Sequence, residues 1–267
     1  MTLFQLFLLA VIQGVTEFLP ISSSGHLILL PQLTALPDQG QVIDVAVHLG
    51  TLGAVILYFW RDVAVAVAGL PRLLTGRIDT PGARLAFLLI VATIPAILFG
   101  LVLKVTGLDD AMRSAMVIGW TMLLFGLVLW WADQRSPTEK EAAEWSLREA
   151  WLLGLFQAIA LIPGTSRSGI TITGARFLGY KRADAAKVSM LMSIPVILAS
   201  AVLLGAEVIQ TADATAAKDG AIAAAFAFAS ALLALTLMMR LLRSVSFTPY
   251  VIYRVVLGVG LIWWAWP

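Results

Sequence analysis

Six apolar runs, near residues 43–60, 85–103, 114–132, 186–206, 221–239 and 250–266, are each long enough to cross the hydrocarbon core of a bilayer as a helix, which takes about 17 to 25 residues. Nothing else limits the fold as strongly, because a backbone in lipid must satisfy its own hydrogen bonds and a helix does so within one segment. The composition agrees. Of the 267 residues 60% are apolar and 13% charged, and the mean hydropathy is +0.92, far from the balance of a soluble domain. The expected fold is an all-α polytopic membrane protein, a single integral membrane domain over residues 1–267. There is no Cys, so disulfides, thiol chemistry and Cys-bound metals are excluded. A net charge of +2 with scattered bases leaves no electrostatic footprint for nucleic acid. The start, "MTLFQLFLLAVIQG", lacks a basic n-region and is expected to belong to the mature fold.

Two further apolar stretches, residues 3–15 and 150–162, would reach only about 20 Å as helices and are too short to span. Each runs into a polar turn with Pro and Gly, then into a second short apolar piece, near 26–32 and 170–178. This pattern predicts two re-entrant helical hairpins, which survive at membrane depth only when buried in protein or facing a watery cavity. The hairpins resemble each other. "QGVTEFLPISSSG" (13–25) and "QAIALIPGTSRSG" (157–169) align Gln13 with Gln157, Ser22 with Ser166, Ser24 with Ser168 and Gly25 with Gly169, at an offset of 144. The segments "VIGWTMLLFGLVLWW" (117–131) and "VIYRVVLGVGLIWWA" (251–265) also match, which implies a duplicated unit, roughly 1–133 and 145–267.

Lys and Arg of short loops gather on the cytoplasmic side. Arg61, Arg72, Arg77 and Arg84 follow the first span, and Arg135, Lys140 and Arg148 the third. Lys181, Arg182 and Lys187 precede the fourth, and Arg240 and Arg243 follow the fifth. With six spans all of these share one side, against Lys104, Arg113 and Lys218, the last in an expected 207–220 loop, on the other. Both termini then face outward. Three spans per half make the halves an inverted-topology repeat, whose turns are expected to meet near the midplane.

Ionisable groups inside a membrane are costly and usually functional, and Glu17, His26 and Arg167 are such groups. Turns that open new helices aim backbone N–H groups at their meeting place, an arrangement for anions. Arg167 adds a planar fork for phosphate oxygens, and Ser22, Ser23, Ser24, Thr165, Ser166, Ser168 and Thr171 add hydroxyls. Catalysis needs a nucleophile, a base and charge stabilisation within reach of one another. Ser23 or Ser166, then His26 or Glu17, then Arg167 with the backbone N–H groups are the respective candidates. A helix starting around residues 22–24 puts Ser23 and His26 on one face, as Gln13 and Glu17 share theirs. A carboxylate beside phosphate predicts a divalent cation, Mg²⁺ or Ca²⁺, with Glu17 as its ligand.

The element Gln13-x-x-x-Glu17 followed by "FLPISSSGH", with "PGTSRSGIT" (163–171) later, resembles the two signature regions of the undecaprenyl-diphosphate phosphatase family of the bacitracin-resistance type. The resemblance runs over essentially the whole chain, "SFTPYVIYR" (246–254) included. It implies hydrolysis of undecaprenyl diphosphate to undecaprenyl phosphate and phosphate, which recycles the lipid carrier of cell-wall synthesis and confers bacitracin resistance. It implies a multi-pass protein of the bacterial cytoplasmic membrane whose active site opens to the outer, periplasmic side. Glu17, Ser23 and His26 match the family's catalytic positions, and Ser166, Arg167, Ser168 and Thr171 its phosphate-binding positions, with Gly164 in the same turn. Many relatives carry Glu where this chain has Gln13, a neutral amide that cannot be a base, so that burden falls on Glu17. Three routes stay open: Ser23 attacking while His26 takes its proton, His26 itself attacking, or water activated by Glu17.

Another class of function uses the same parts. Inverted repeats with broken helices are also the plan of secondary transporters, so the alternative is a transporter or flippase for a lipid phosphate or organic anion. His48, near the start of the first span, is expected to support the site together with Gln13. Arg254 is expected to snorkel from the cytoplasmic end of the last span, and "IWWAWP" to anchor at the interface. Small-residue faces such as 221–234 let helices approach closely, within one chain or between two copies as a homodimer. The lipid diphosphate and membrane lipids are the other expected partners.

Overall fold

A computed structural model describes residues 1–34, 39–211 and 214–266, and among these it is helical without a strand. Helices α1 (Leu3–Phe18) and α2 (Ser23–Thr34) form a first helix–turn–helix. They lead to α3 (Gly40–Tyr58), α4 (Trp60–Leu74), α5 (Pro81–Thr106), the short α6 (Leu108–Ala111) and α7 (Ala115–Arg135). A second helix–turn–helix, α8 (Leu147–Ile159) and α9 (Arg167–Phe177), leads to α10 (Arg182–Thr211), α11 (Ala214–Leu241) and α12 (Thr248–Ala265). Helices α3, α5, α7, α10, α11 and α12 are long and apolar enough to cross a membrane, and they are the six expected runs. The chain is a multi-pass membrane protein.

Local sequence sets the boundaries. Thr80 and Ser114 cap α5 and α7 by accepting the N–H of Ala83 and of Val117, both at 3.2 Å. Pro81 sits in the first turn of α5, where its missing N–H costs nothing. Helix α1 stops at Phe18 because Pro20 pushes Leu19 out of the helical region, to φ −68° and ψ 143°.

Two expectations need correction. The stretch after the first span, read as a loop carrying Arg61, Arg72, Arg77 and Arg84, is mostly the helix α4, which packs on α5. The approach is so close that a Cβ on Gly69 would lie 2.1 Å from Gly82 and Ala83 backbone atoms. The apolar run of α4, residues 63–71 between Asp62 and Arg72, is too short to be read as a span. Nor does a long loop separate the fourth and fifth spans. Helix α10 continues to Thr211 and α11 begins at Ala214, with 212 and 213 outside the described residues.

The two helix–turn–helix units pack against the long helices. Helix α1 packs on α11 and α8 on α5, while α3 touches both α10 and α11. Helix α9 contacts α7, α8 and α10, and α12 lies along α7. Phe18, Leu52, Leu153, Ile172, Met190 and Leu235 belong to the one large buried cluster between them. Outward faces keep bulky apolar groups such as Val105, Val202 and Trp263 exposed, as contact with lipid allows.

At the end where α7 stops and α10 starts, Asp133 is wholly buried. One of its oxygens accepts from Arg176 Nε at 3.1 Å and Arg182 Nε at 2.8 Å, and the other accepts the Phe247 N–H at 3.2 Å. Arg176 directs its remaining donors at the carbonyls of Asp133, Ser136, Pro137 and Tyr180. This junction joins α7, α9, α10 and the start of α12.

Candidate functional site

Both turns carry a serine in the left-handed backbone region, with φ 75° at Ser22 and 72° at Ser166. These are the positions that pair at the offset of 144, and their local bonding also repeats. The Gly25 N–H donates to Ser22 Oγ at 3.3 Å and the Gly169 N–H to Ser166 Oγ at 3.0 Å. The hydroxyls of Ser22 and Ser24 lie 3.4 Å apart, those of Ser166 and Ser168 3.1 Å apart. A strained non-glycine backbone costs about 1–3 kcal/mol, and such strain collects at ligand sites; the serine caps offset part of it. Gly164, at φ 84°, completes the second turn, where a Cβ would fall 2.2 Å from Thr121 Oγ1.

The turns touch. Ser168 Oγ donates to the Leu19 carbonyl at 2.9 Å, and Arg167 Nη2 donates to Glu17 Oε1 at 2.9 Å. The second Glu17 oxygen accepts from Ser23 Oγ at 2.7 Å and from Gln13 Nε2 at 3.0 Å. Glu17 is buried, so water does not weaken these bonds. Arg167 Nη1 also donates to the Ser189 carbonyl at 3.1 Å, and the Thr171 and Ser189 hydroxyls lie 2.7 Å apart. Helix α10 thereby fixes the direction of the guanidinium. Thr165 is buried, with no protein partner for its hydroxyl.

The expected Ser23–His26 pair is not formed. His26 Nδ1 lies 2.6 Å from the Ser22 carbonyl and Nε2 lies 2.6 Å from the Tyr253 hydroxyl. Both ring nitrogens are thus engaged away from Ser23, whose hydroxyl is turned back to α1. Arg254 departs from its expected place as well, being fully buried rather than snorkelling. Its guanidinium bridges the two turns, donating to the carbonyls of Pro20 at 3.3 Å and Gly164 at 3.2 Å. It also donates to Met122 at 3.1 Å and Thr121 at 3.3 Å on α7. Its contacts are carbonyls, so its charge remains available to an anion held by the turns.

A cavity of about 400 Å³ extends from the turns towards the end of the bundle where α3 and α7 begin. Glu17, Ser22, Ser23, Ser24, Ser166 and Arg167 line its inner part, with Val45, Leu161 and Ile197 among its apolar walls. His48 lines it too, with Nε2 3.9 Å from Glu17 Oε2 and Nδ1 donating to the Asp44 carbonyl at 2.7 Å. His26 is not among the lining residues. These side chains alone do not complete the coordination of Mg²⁺ or Ca²⁺, so Glu17 would share such a cation with water and phosphate oxygens. Among the described residues no three His, Asp or Glu gather, and both oxygens of Glu17 are already occupied by Arg167, Ser23 and Gln13, whereas Mg²⁺ and Ca²⁺ require six or more oxygens.

Residues 6–260 match the family described as bacitracin resistance protein BacA. The chain belongs to that family. It is 74% identical to the undecaprenyl-diphosphatase of Jannaschia sp. (strain CCS1) over 262 residues, 98% of each chain. It is 73% identical to that of Ruegeria pomeroyi over the same length and coverage. The undecaprenyl-diphosphatase of Alcanivorax borkumensis is a more distant relative, 46% identical over 261 residues and again 98% of each chain. In this BacA-family chain the residues that motif reading missed, Ser189, Tyr253 and Arg254, are single polar groups within apolar spans. Arg254 carried a signal, since an arginine inside a spanning segment is expensive wherever it does not reach water.

Proposed function

We propose that this protein is an undecaprenyl-diphosphatase, releasing inorganic phosphate and leaving undecaprenyl phosphate for another round of wall synthesis, with bacitracin resistance as the consequence. The names and full-length similarity of its relatives support the activity. The observation that carries the chemistry is the 2.7 Å bond from the Ser23 hydroxyl to Glu17, beside the Arg167 guanidinium.

In the route this geometry favours, the diphosphate occupies the cavity with its phosphates against the two turns and its isoprenoid tail along the apolar walls. Glu17 Oε2 takes the Ser23 proton as Oγ attacks the terminal phosphorus. The bond from that phosphorus to the bridging oxygen breaks, and undecaprenyl phosphate leaves with the electron pair. Undecaprenyl phosphate takes up the proton from Glu17 as it leaves; water then attacks the phosphoserine, giving up a proton to Glu17, which returns it to Ser23 Oγ as the phosphorus–Oγ bond breaks and inorganic phosphate is released. Arg167 and the N–H groups of the second turn stabilise charge on the transferring group. A divalent cation, expected from the sequence, would have to arrive with the oxygens of the diphosphate.

The same reading makes the two helix–turn–helix units re-entrant, in halves related by an inverted repeat. Support comes from the paired strained serines and from the packing. Helix α1 lies on α11 as α8 lies on α5, and α3 with α10 and α7 with α12 are counterparts that pack on each other. The distribution of Lys and Arg supports an outward-facing cavity in the cytoplasmic membrane.

The test is phosphate release from a long-chain prenyl diphosphate by the detergent-solubilised protein, with and without EDTA. Glu17→Ala, Ser23→Ala and Arg167→Ala are each expected to lose at least about 100-fold in kcat while remaining folded. Near-normal release by Ser23→Ala would sink the phosphoserine route. No release by the wild type, with or without added Mg²⁺ or Ca²⁺, would return the site to the carrier reading.

A further inference from the structure

Tyr253 lies on a half-exposed face of α12, where lipid offers its hydroxyl no partner. That hydroxyl finds His26 Nε2 at 2.6 Å, with the two rings within 11° of parallel and their centroids 5.7 Å apart. On the other side of the imidazole the Ser22 carbonyl, an oxygen that can only accept, lies 2.6 Å from Nδ1. In the neutral ring Nδ1 therefore carries the proton, and Nε2 accepts from the tyrosine. The chain of bonds ends on Ser22, one of the two strained serines and the neighbour of Ser23.

The second turn shows what the first lacks. Ile170 stands where His26 would by the offset of 144, and its backbone N–H reaches the Ser166 carbonyl at 2.9 Å. The corresponding bond in the first turn, from the His26 N–H to the Ser22 carbonyl, is longer, 3.3 Å. There the imidazole supplies a second, shorter bond to the same oxygen. We propose that Tyr253 is a positioning residue of the phosphoryl-transfer site: by orienting His26 it braces the Ser22 carbonyl, so that the Ser23 hydroxyl points at Glu17. His26 then serves as a donor through Nδ1–H and does not take the proton from Ser23. This rests on the reading of Ser23 as nucleophile.

The chain has only two histidines, so ¹⁵N-histidine labelling of the full-length protein in detergent gives two sets of ring resonances, assigned with His48→Gln. His26 is expected with a protonated Nδ1 and an unprotonated, hydrogen-bonded Nε2, and Tyr253→Phe is expected to shift the Nε2 resonance. In phosphate release, Tyr253→Phe is expected to lower kcat about 10-fold with KM nearly unchanged, as for a nucleophile slightly misaimed. His26→Asn, whose amide can still donate to the Ser22 carbonyl, is expected to retain clearly more activity than His26→Ala. An Nε2–H tautomer, full activity in Tyr253→Phe, or equal loss in the Asn and Ala variants would overturn the brace. The NMR arm needs no turnover, so absence of phosphate release by the wild type would remove the diphosphatase reading alone.

Discussion

Arg254 places a guanidinium in the protein interior with carbonyls as its partners. Two of those carbonyls, of Pro20 and Gly164, belong to turns far apart in the chain and depend on this one side chain for a donor. Arg254→Met is expected to destabilise the protein by at least about 3 kcal/mol, since hydrogen bonds to a charged group contribute about 1.5–3 kcal/mol each, and to abolish phosphate release. Arg254→Lys keeps the charge but loses the planar fork, so it cannot serve both turns. An intermediate fall in thermal midpoint and a lowered kcat are the expected result in detergent. The sequence made Glu17, Ser23 and Arg167 conspicuous because polar groups stand out in an apolar setting. It could not reveal Arg254's role, because an arginine in the last span looks like an interfacial anchor until the turn carbonyls it serves are located in space. The same holds for His26, whose helical spacing from Ser23 says nothing about the partners the two side chains find, Glu17 for Ser23, and Tyr253 with the Ser22 carbonyl for His26.

Away from the candidate site, two further buried polar junctions join elements. Asp133 answers both Arg176 and Arg182, and removing its charge leaves Arg176 desolvated without a counter-ion. Asp133→Asn is expected to cost about 3–5 kcal/mol, read as a lowered midpoint in thermal unfolding, with the remaining activity scaling with the folded fraction. At the first turn of α8, Ser146 and Glu149 form a capping box, and Glu149 also accepts from Lys140 and from the Tyr180 hydroxyl. Burial pushes the Glu149 carboxyl up, but the bonds from Lys140, Ser146 and Tyr180 outweigh it and hold the group below its ordinary value. A lowered folded pKa contributes stability that is complete above the unfolded value, about 4.3, and is lost as pH falls through the folded one. Glu149→Gln is therefore expected to flatten the decline of the thermal midpoint below about pH 5. Hydropathy and length made the six long helices legible, whereas the apolar run of α4 is too short to be read as a span and the full extent of α10 and α11 depends on charged helix ends.

At the scale of the molecule the candidate site exists only between halves. Neither turn holds both the carboxylate and the guanidinium, and the cavity is walled by helices from the N-terminal and the C-terminal half of the chain. The polar match of the two turns was readable without coordinates, because the same serines and glycine recur in order. What it could not convey is that the halves differ where it matters, His26 answering to Ile170 and Glu17 to Leu161. Glu17 and Arg167 are separated by 150 positions, and a ribosome adding about 5–20 residues per second needs roughly 8–30 s to make that length. Through that interval the nascent chain carries the carboxylate without the guanidinium that pairs with it. The clasp across the turns comes later still, because Arg254 is supplied by α12. Biogenesis thus withholds the assembled centre until α12 is made: a polypeptide halted before it holds both signature motifs but lacks the guanidinium that bridges their turns.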